Sequence, residues 1–88
     1  MPPVQELFTP AAIAANGTRA FTQGQGIGGF LCTVGGVLNL GLGSDGSGTK
    51  LVNTLNVTAG IYYPLPTSVG ADMAIVLSGN AAGTVFYV

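Results

Sequence analysis

The sequence predicts an all-β fold: a small antiparallel β-sandwich or barrel of about seven short strands over residues 16–88, entered from an extended N-terminal arm over residues 1–15. Three observations predict it. Fifteen glycines spread over 88 residues leave little room for a long helix, because each interior glycine costs about 1 kcal/mol relative to alanine. Apolar residues alternate with period two in several short runs instead of recurring every three or four positions. Gly, Asn, Ser and Asp punctuate the chain between those runs, where turns need them.

The elements follow in order. Asn16-Gly17 suits a type I′ or related tight turn and opens a strand over 19–23. A second strand covers 29–34, where Phe30, Cys32 and Val34 alternate against Leu31 and Thr33. A third covers 37–42 and ends at the turn Gly43-Ser44-Asp45-Gly46-Ser47-Gly48. The fourth, 51–57, puts Leu51, Asn53, Leu55 and Val57 on one face and Val52, Thr54 and Asn56 on the other. Strands over 61–65, 73–78 and 84–88 complete the set. Gly-Thr recurs at 17–18, 48–49 and 83–84 as a way of entering a strand, without the flanking similarity of a true repeat. The strand at 73–78 and the residues 85–88 are apolar on both faces and need cover on both. So small an all-β domain has little material of its own for a further layer, and a partner subunit is the expected source.

Residues 1–15 read differently. Pro2, Pro3 and Pro10 fix φ and lack an amide donor, which keeps residues 1–10 out of the centre of a sheet. The same stretch carries Val4, Leu7 and Phe8. An extended segment with apolar anchors is expected to lie across a neighbour, the alternative being a disordered tail.

Charge sets the strongest bound on function. Glu6, Arg19, Asp45, Lys50 and Asp72 are the only charged residues, where an ordinary domain of 88 residues has about 22. A surface with so little charge has weak colloidal repulsion and leaves apolar patches uncovered. A domain this small is also marginal alone. Its single cysteine rules out an internal disulfide and its lack of histidine removes the commonest zinc ligand, so oligomerisation is the expected support. Two cations give no footprint for nucleic acid.

Other classes are excluded in turn. The uncharged span over residues 20–44 is long enough to cross a membrane, but eight glycines with Gln23, Gln25 and Asn39 interrupt it. The N-terminus has no basic region and only the short apolar run 11–15, so no signal peptide is expected, and the protein stays in the cytoplasm where it is made until it assembles. Without histidine there is no Ser-His-Asp or Cys-His arrangement, the three carboxylates are scattered, and no enzyme is expected. Cys32 reads as a small buried side chain, with no basic neighbour to activate it. Gly24-Gln25-Gly26-Ile27-Gly28-Gly29 matches G-x-G-x-x-G, but a β-like run follows where a dinucleotide site needs a helix. Asp45 stands alone in its loop, too few carboxylates for calcium. No cofactor or metal is expected.

The run Gly28-Gly29-Phe30-Leu31-Cys32-Thr33-Val34-Gly35, the run Val57-Thr58-Ala59-Gly60-Ile61-Tyr62-Tyr63-Pro64-Leu65-Pro66 and a closing apolar strand after Gly83-Thr84 resemble the short Gly- and Ala-rich β proteins of tailed bacteriophage virions, and among these the head decoration, or cement, proteins. The resemblance covers residues 16–88 in the style and order of segments. It implies a non-enzymatic subunit on the capsid exterior, often a homotrimer, that binds the major capsid protein and stabilises the shell. A tail, neck or fibre-associated structural subunit shares the same composition. The expected contact residues are Val4, Leu7 and Phe8 on the arm, with Tyr62, Tyr63 and Pro64, because aromatic residues beside proline often anchor interfaces. The alternative for the last three is a strand end packed on the domain's own core.

Overall fold

The computed structural model describes residues 8–88. Among them are eight strands: β1 Thr9–Ile13, β2 Thr18–Phe21, β3 Gly26–Val34, β4 Gly36–Leu42, β5 Lys50–Val57, β6 Tyr62–Ser68, β7 Met73–Ser78 and β8 Ala82–Tyr87. They form two antiparallel four-stranded sheets packed face to face, β1-β8-β3-β6 and β2-β7-β4-β5, so the all-β expectation holds and the sandwich is chosen over the barrel. Strands that follow one another in sequence lie in opposite sheets everywhere except β4 and β5, which pair directly. Gly35 alone separates β3 from β4 and carries the chain from one sheet to the other. Next to it, a Cβ on Gly36 would stand 2.6 Å from both Ala81 N and Ser78 O, so only glycine fits there.

The core lies between the sheets. Phe30 and Val85 from the first sheet meet Phe21, Leu38, Leu40, Ile75 and Leu77 from the second, all with almost no exposure. Burying each such side chain contributes about 1.5–3 kcal/mol. In the first sheet the inward row across the strands is Tyr63–Phe30–Val85–Ala11, fixed by register.

The eighth strand is β1. Residues 9–13, expected within the arm, pair residue for residue with β8 from Thr9↔Tyr87 to Ile13↔Gly83. Pro10 is compatible with this because β1 is an edge strand, where one missing donor breaks no ladder. Val4 and Leu7 lie outside the described residues.

Two expected alternations fail, each at a bulge. In β5, Leu38↔Leu55 and Leu40↔Val52 leave Asn53 and Thr54 together opposite Asn39. The extra residue reverses the faces, so Val52 joins Leu55 and Val57 on the core side and Leu51 is 50% exposed. Asn39 Oδ1 accepts the Thr54 amide at 2.7 Å and holds the bulge, with Thr54 at φ 57°. In β3, a register shift between Cys32 and Val34 leaves Thr33 as the extra residue. Cys32 is buried beside Phe30, whereas Val34 is 48% exposed.

The turns also differ from expectation. Asn16 occupies the third position of the turn 14–17, closed by Gly17 N donating to Ala14 O at 2.9 Å; with φ 57° there and no positive φ at Ala15 or Gly17, the turn is type II in its φ pattern, not I′. The type I′ pattern falls at Gly79 (φ 62°) and Asn80 (φ 71°). These two turns are buckled together: the Asn80 amide donates to Asn16 Oδ1 at 2.8 Å and the Asn16 amide to Ala81 O at 3.2 Å. Gly83-Thr84 lies inside β8, not at its mouth.

The outward side of β7 is covered by the chain itself. Gly46, at the tip of the loop between β4 and β5, is buried; a Cβ there would meet the Val76 side chain at 2.8 Å and Ala74 O at 3.1 Å. Ala74 is completely buried beneath it. Cover expected from a partner subunit is thus supplied at Ala74 by a folded-back Gly/Ser loop. Asp45 shapes this loop, its Oδ1 accepting the Ser47 hydroxyl at 2.7 Å and the Ser47 amide at 3.0 Å. Those bonds hold the Asp45 carboxyl below its ordinary pKa. Lys50 Nζ donates to Gly46 O from the base of the loop.

Candidate interaction surface

Register places two rows across the outward side of the first sheet. One row is Tyr62–Leu31–Thr84–Ala12 and the next is Pro64–Gly29–Phe86–Pro10. Directly opposed residues of antiparallel strands point the same way, and these positions alternate with the inward row through Phe30. No residue of either row is charged, and their only polar side-chain groups are the hydroxyls of Thr84 and Tyr62. Tyr62 is 47% exposed, with its ring at an edge-on angle to Phe86 and 6.1 Å between centroids. Gly29 makes room for it, since a Cβ there would fall on the Tyr62 ring and hydroxyl.

The expected contact residues divide between the two sides of the sheet. Tyr62 and Pro64 stand on the outward side and are exposed. Tyr63 turns inward, packs against the core, and accepts the Thr58 amide on its hydroxyl at 2.7 Å. Phe8 is half-buried at the rim, its ring so close over Gly28 that a Cβ there would come within 2.7 Å. Leu31, Phe86, Pro10 and Ala12 share the face with Tyr62 and Pro64. Sequence alone does not single them out, because only the strand register brings them together.

The four sheet edges are each blunted. Pro10 stands in β1, and Pro64 and Pro66 in β6. β5 carries the bulge at Asn53–Thr54. The four-residue β2 turns Arg19 inward between the sheets, with its guanidinium carbon 5.0 Å from the Tyr87 ring centroid and 5.9 Å from that of Phe21. Short strands, prolines, bulges and inward charges all oppose the addition of a further strand. Strand addition is thus disfavoured at every edge of the two sheets among the described residues.

Burial pushes the Cys32 thiol pKa up, and its Sγ donates to Val34 O at 3.1 Å, the reverse of an activated thiolate. Among the described residues no three potential metal-ligating side chains come together. No helix among them is long and apolar enough to cross a membrane. No protein-family model, no curated protein and no solved structure matches the chain.

Proposed function

We propose that this chain is a structural virion subunit, a decoration or cement protein that binds the major capsid protein on the outside of a tailed-bacteriophage shell and self-associates there as a homotrimer. The observation that carries this reading is the uncharged outward face of the first sheet, presented by a domain whose four edges are closed to strand addition. Such a domain is suited to lying flat against other protein. Apolar contact of about 25 cal/mol per Å2, repeated at every copy over a shell, gives large total stabilisation from a small subunit. The near absence of charge lowers repulsion between adjacent copies and forgoes electrostatic steering, which slows association.

The test is co-sedimentation of the purified chain with empty, undecorated shells of the virus that encodes it. Saturable binding, loss of binding on Tyr62→Lys, and a higher temperature of shell disruption are expected. A chain that stays in the supernatant overturns the proposal. Recovery with purified tails instead of heads assigns it to the tail, neck or fibre-associated class.

A further inference from the structure

We propose that Asn16-Gly17 is a site of spontaneous covalent modification, where the asparagine side chain closes an imide with the next backbone amide and loses ammonia, and that the Asn16–Asn80 buckle holds this reaction off in the folded domain. The inference goes beyond the decoration reading and does not depend on what the domain binds.

The fold itself demands the reactive pair. Position 16 has φ 57°, a conformation that Asn and Gly tolerate best, and Asn there also supplies an acceptor to the Asn80 amide. Position 17 admits no larger residue, since a Cβ there would stand 2.8 Å from Ala14 O and 3.1 Å from Ile13 Cγ2. Among the five asparagines of the chain, Asn16 is the only one followed by glycine. A glycine amide has no side chain to shield it, so it reaches a preceding carboxamide carbon more readily than any other residue's amide does.

The step balances without an oxidant or reductant. The Gly17 nitrogen gives up its proton to solvent and attacks Asn16 Cγ. The N–Cγ bond forms, the Cγ–Nδ2 bond breaks, and Nδ2 leaves as ammonia after taking a proton from solvent. Water then opens the five-membered imide at either carbonyl. One opening leaves aspartate at position 16; the other leaves an isoaspartyl link, in which the main chain runs through the side chain and is one methylene longer. Asn16 is exposed, so water reaches it.

The atoms that this reaction must move are tied in the folded chain. The nucleophile, Gly17 N, donates to Ala14 O at 2.9 Å. The carboxamide is held at both ends, with Oδ1 accepting the Asn80 amide at 2.8 Å and Nδ2 donating to Asn80 Oδ1 at 3.4 Å. The flanking backbone is fixed as well: Asn16 N donates to Ala81 O, and Leu77 N donates to Gly17 O. Swinging Cγ onto Gly17 N breaks the buckle and the turn bond together, so the native chain reacts only through local opening or complete unfolding. The chain's one Asp-Gly pair, which has related chemistry, is locked in the same way. Gly46 N donates to Gly43 O at 3.0 Å while Asp45 Oδ1 accepts the Ser47 amide and hydroxyl.

Neither product restores the buckle. Aspartate has no Nδ2 donor and sets a carboxylate against Asn80 Oδ1, and the isoaspartyl link lengthens a turn whose two ends are pinned. A copy that lingers unfolded is therefore marked for good, and a folded one is spared.

Ageing the native chain and the urea-unfolded chain side by side, in mildly alkaline buffer made with heavy-oxygen water, tests this. Trypsin cuts after Arg19 and Lys50, which leaves Asn16 as the only asparagine of the first peptide. The expected result is ammonia release, uptake of solvent oxygen and an isoaspartate methyltransferase signal in that peptide, at a rate at least about tenfold lower in the native chain than in the unfolded one. Asn80→Gly keeps a residue suited to the positive φ at position 80 and removes the side-chain partner. At equal folded fraction it is expected to age severalfold faster than the native parent, with its unfolded rate unchanged. Equal rates in the native and unfolded parent overturn the inference, as does an Asn80→Gly chain that ages at the parent's native rate. Solvent oxygen appearing first in the peptide with Asn53, Asn56 and Asn80 overturns the assignment to Asn16.

Discussion

Arg19 reaches inward from edge strand β2 and stacks on Tyr87 of the opposite sheet, 5.0 Å from guanidinium carbon to ring centroid. The contact bridges the two sheets, from β2 to β8. Its Nε is buried without a hydrogen-bond partner among the described residues, so the apolar stem and the stacking hold the side chain there. Arg19→Ala is expected to cost about 1–2 kcal/mol, from lost packing and about 0.5–1 kcal/mol of cation–π contact. Arg19→Met should recover most of that loss, because it keeps the stem and removes the unpaired donor. Urea denaturation midpoints at unchanged slope provide the measurement. Equal losses for the two variants show that charge, not packing, dominates.

The Asn16–Asn80 buckle ties the turn before β2 to the turn before β8. Asn16→Ala removes the acceptor of the Asn80 amide and places a Cβ-bearing, non-Asn residue at φ 57°, for an expected loss of about 2 kcal/mol. Asn16→Gly relieves the backbone and loses only the hydrogen bond, about 1 kcal/mol. Thermal unfolding of the pair should rank them in that order.

Thr54 is a β-branched residue at φ 57°, a conformation costing on the order of 1 kcal/mol or more. Thr54→Gly is therefore expected to raise the melting temperature by several degrees, at about 4–8 °C per kcal/mol for a domain of this size. Asn39→Ala should lower it, since the Thr54 amide loses its side-chain acceptor. A fall on Thr54→Gly means that the bulge gains more from the threonine than the backbone loses.

The loop over Ala74 is expected to loosen in acid. The Asp45 pKa is depressed in the folded state by the Ser47 hydroxyl and amide, so the folded chain binds this proton less readily than the unfolded one. Its contribution is fully present above the ordinary carboxylate range, near pH 4, and is lost as pH falls through the lower folded value. Amide exchange at Ser47 should accelerate across that window, and Asp45→Asn should flatten the dependence. An unchanged profile in the variant assigns the acid effect to another group.

Much of the architecture is legible in the residues. Alternation and turn chemistry located seven strands close to their places, because core positions such as Phe30, Ile75 and Leu77 keep period two. β1 was hidden because Pro10 reads as an arm residue, and only its position at a sheet edge makes it tolerable. Alternation assigns the faces of β5 wrongly because Asn53 and Thr54 share one partner, and a left-handed threonine leaves no mark in a sequence. Cover for Ala74 was invisible for a similar reason, since a loop's landing place is a tertiary property. On the candidate surface, Tyr62 and Pro64 could be chosen by residue type. Phe86 and Leu31 join them only through strand register, interrupted in β3 by the irregularity between Ile27 and Gly29.

The alternation of successive strands between the two sheets also fixes a timetable for synthesis. Only β4 and β5 are neighbours both in sequence and in a sheet, so theirs is the one pairing a growing chain can complete locally. β1, although made first, has β8 as its only partner and waits for nearly the whole domain to leave the ribosome. During that interval Ala11 and Ile13 are without their core, and Pro10, inside the waiting strand, disfavours its pairing elsewhere.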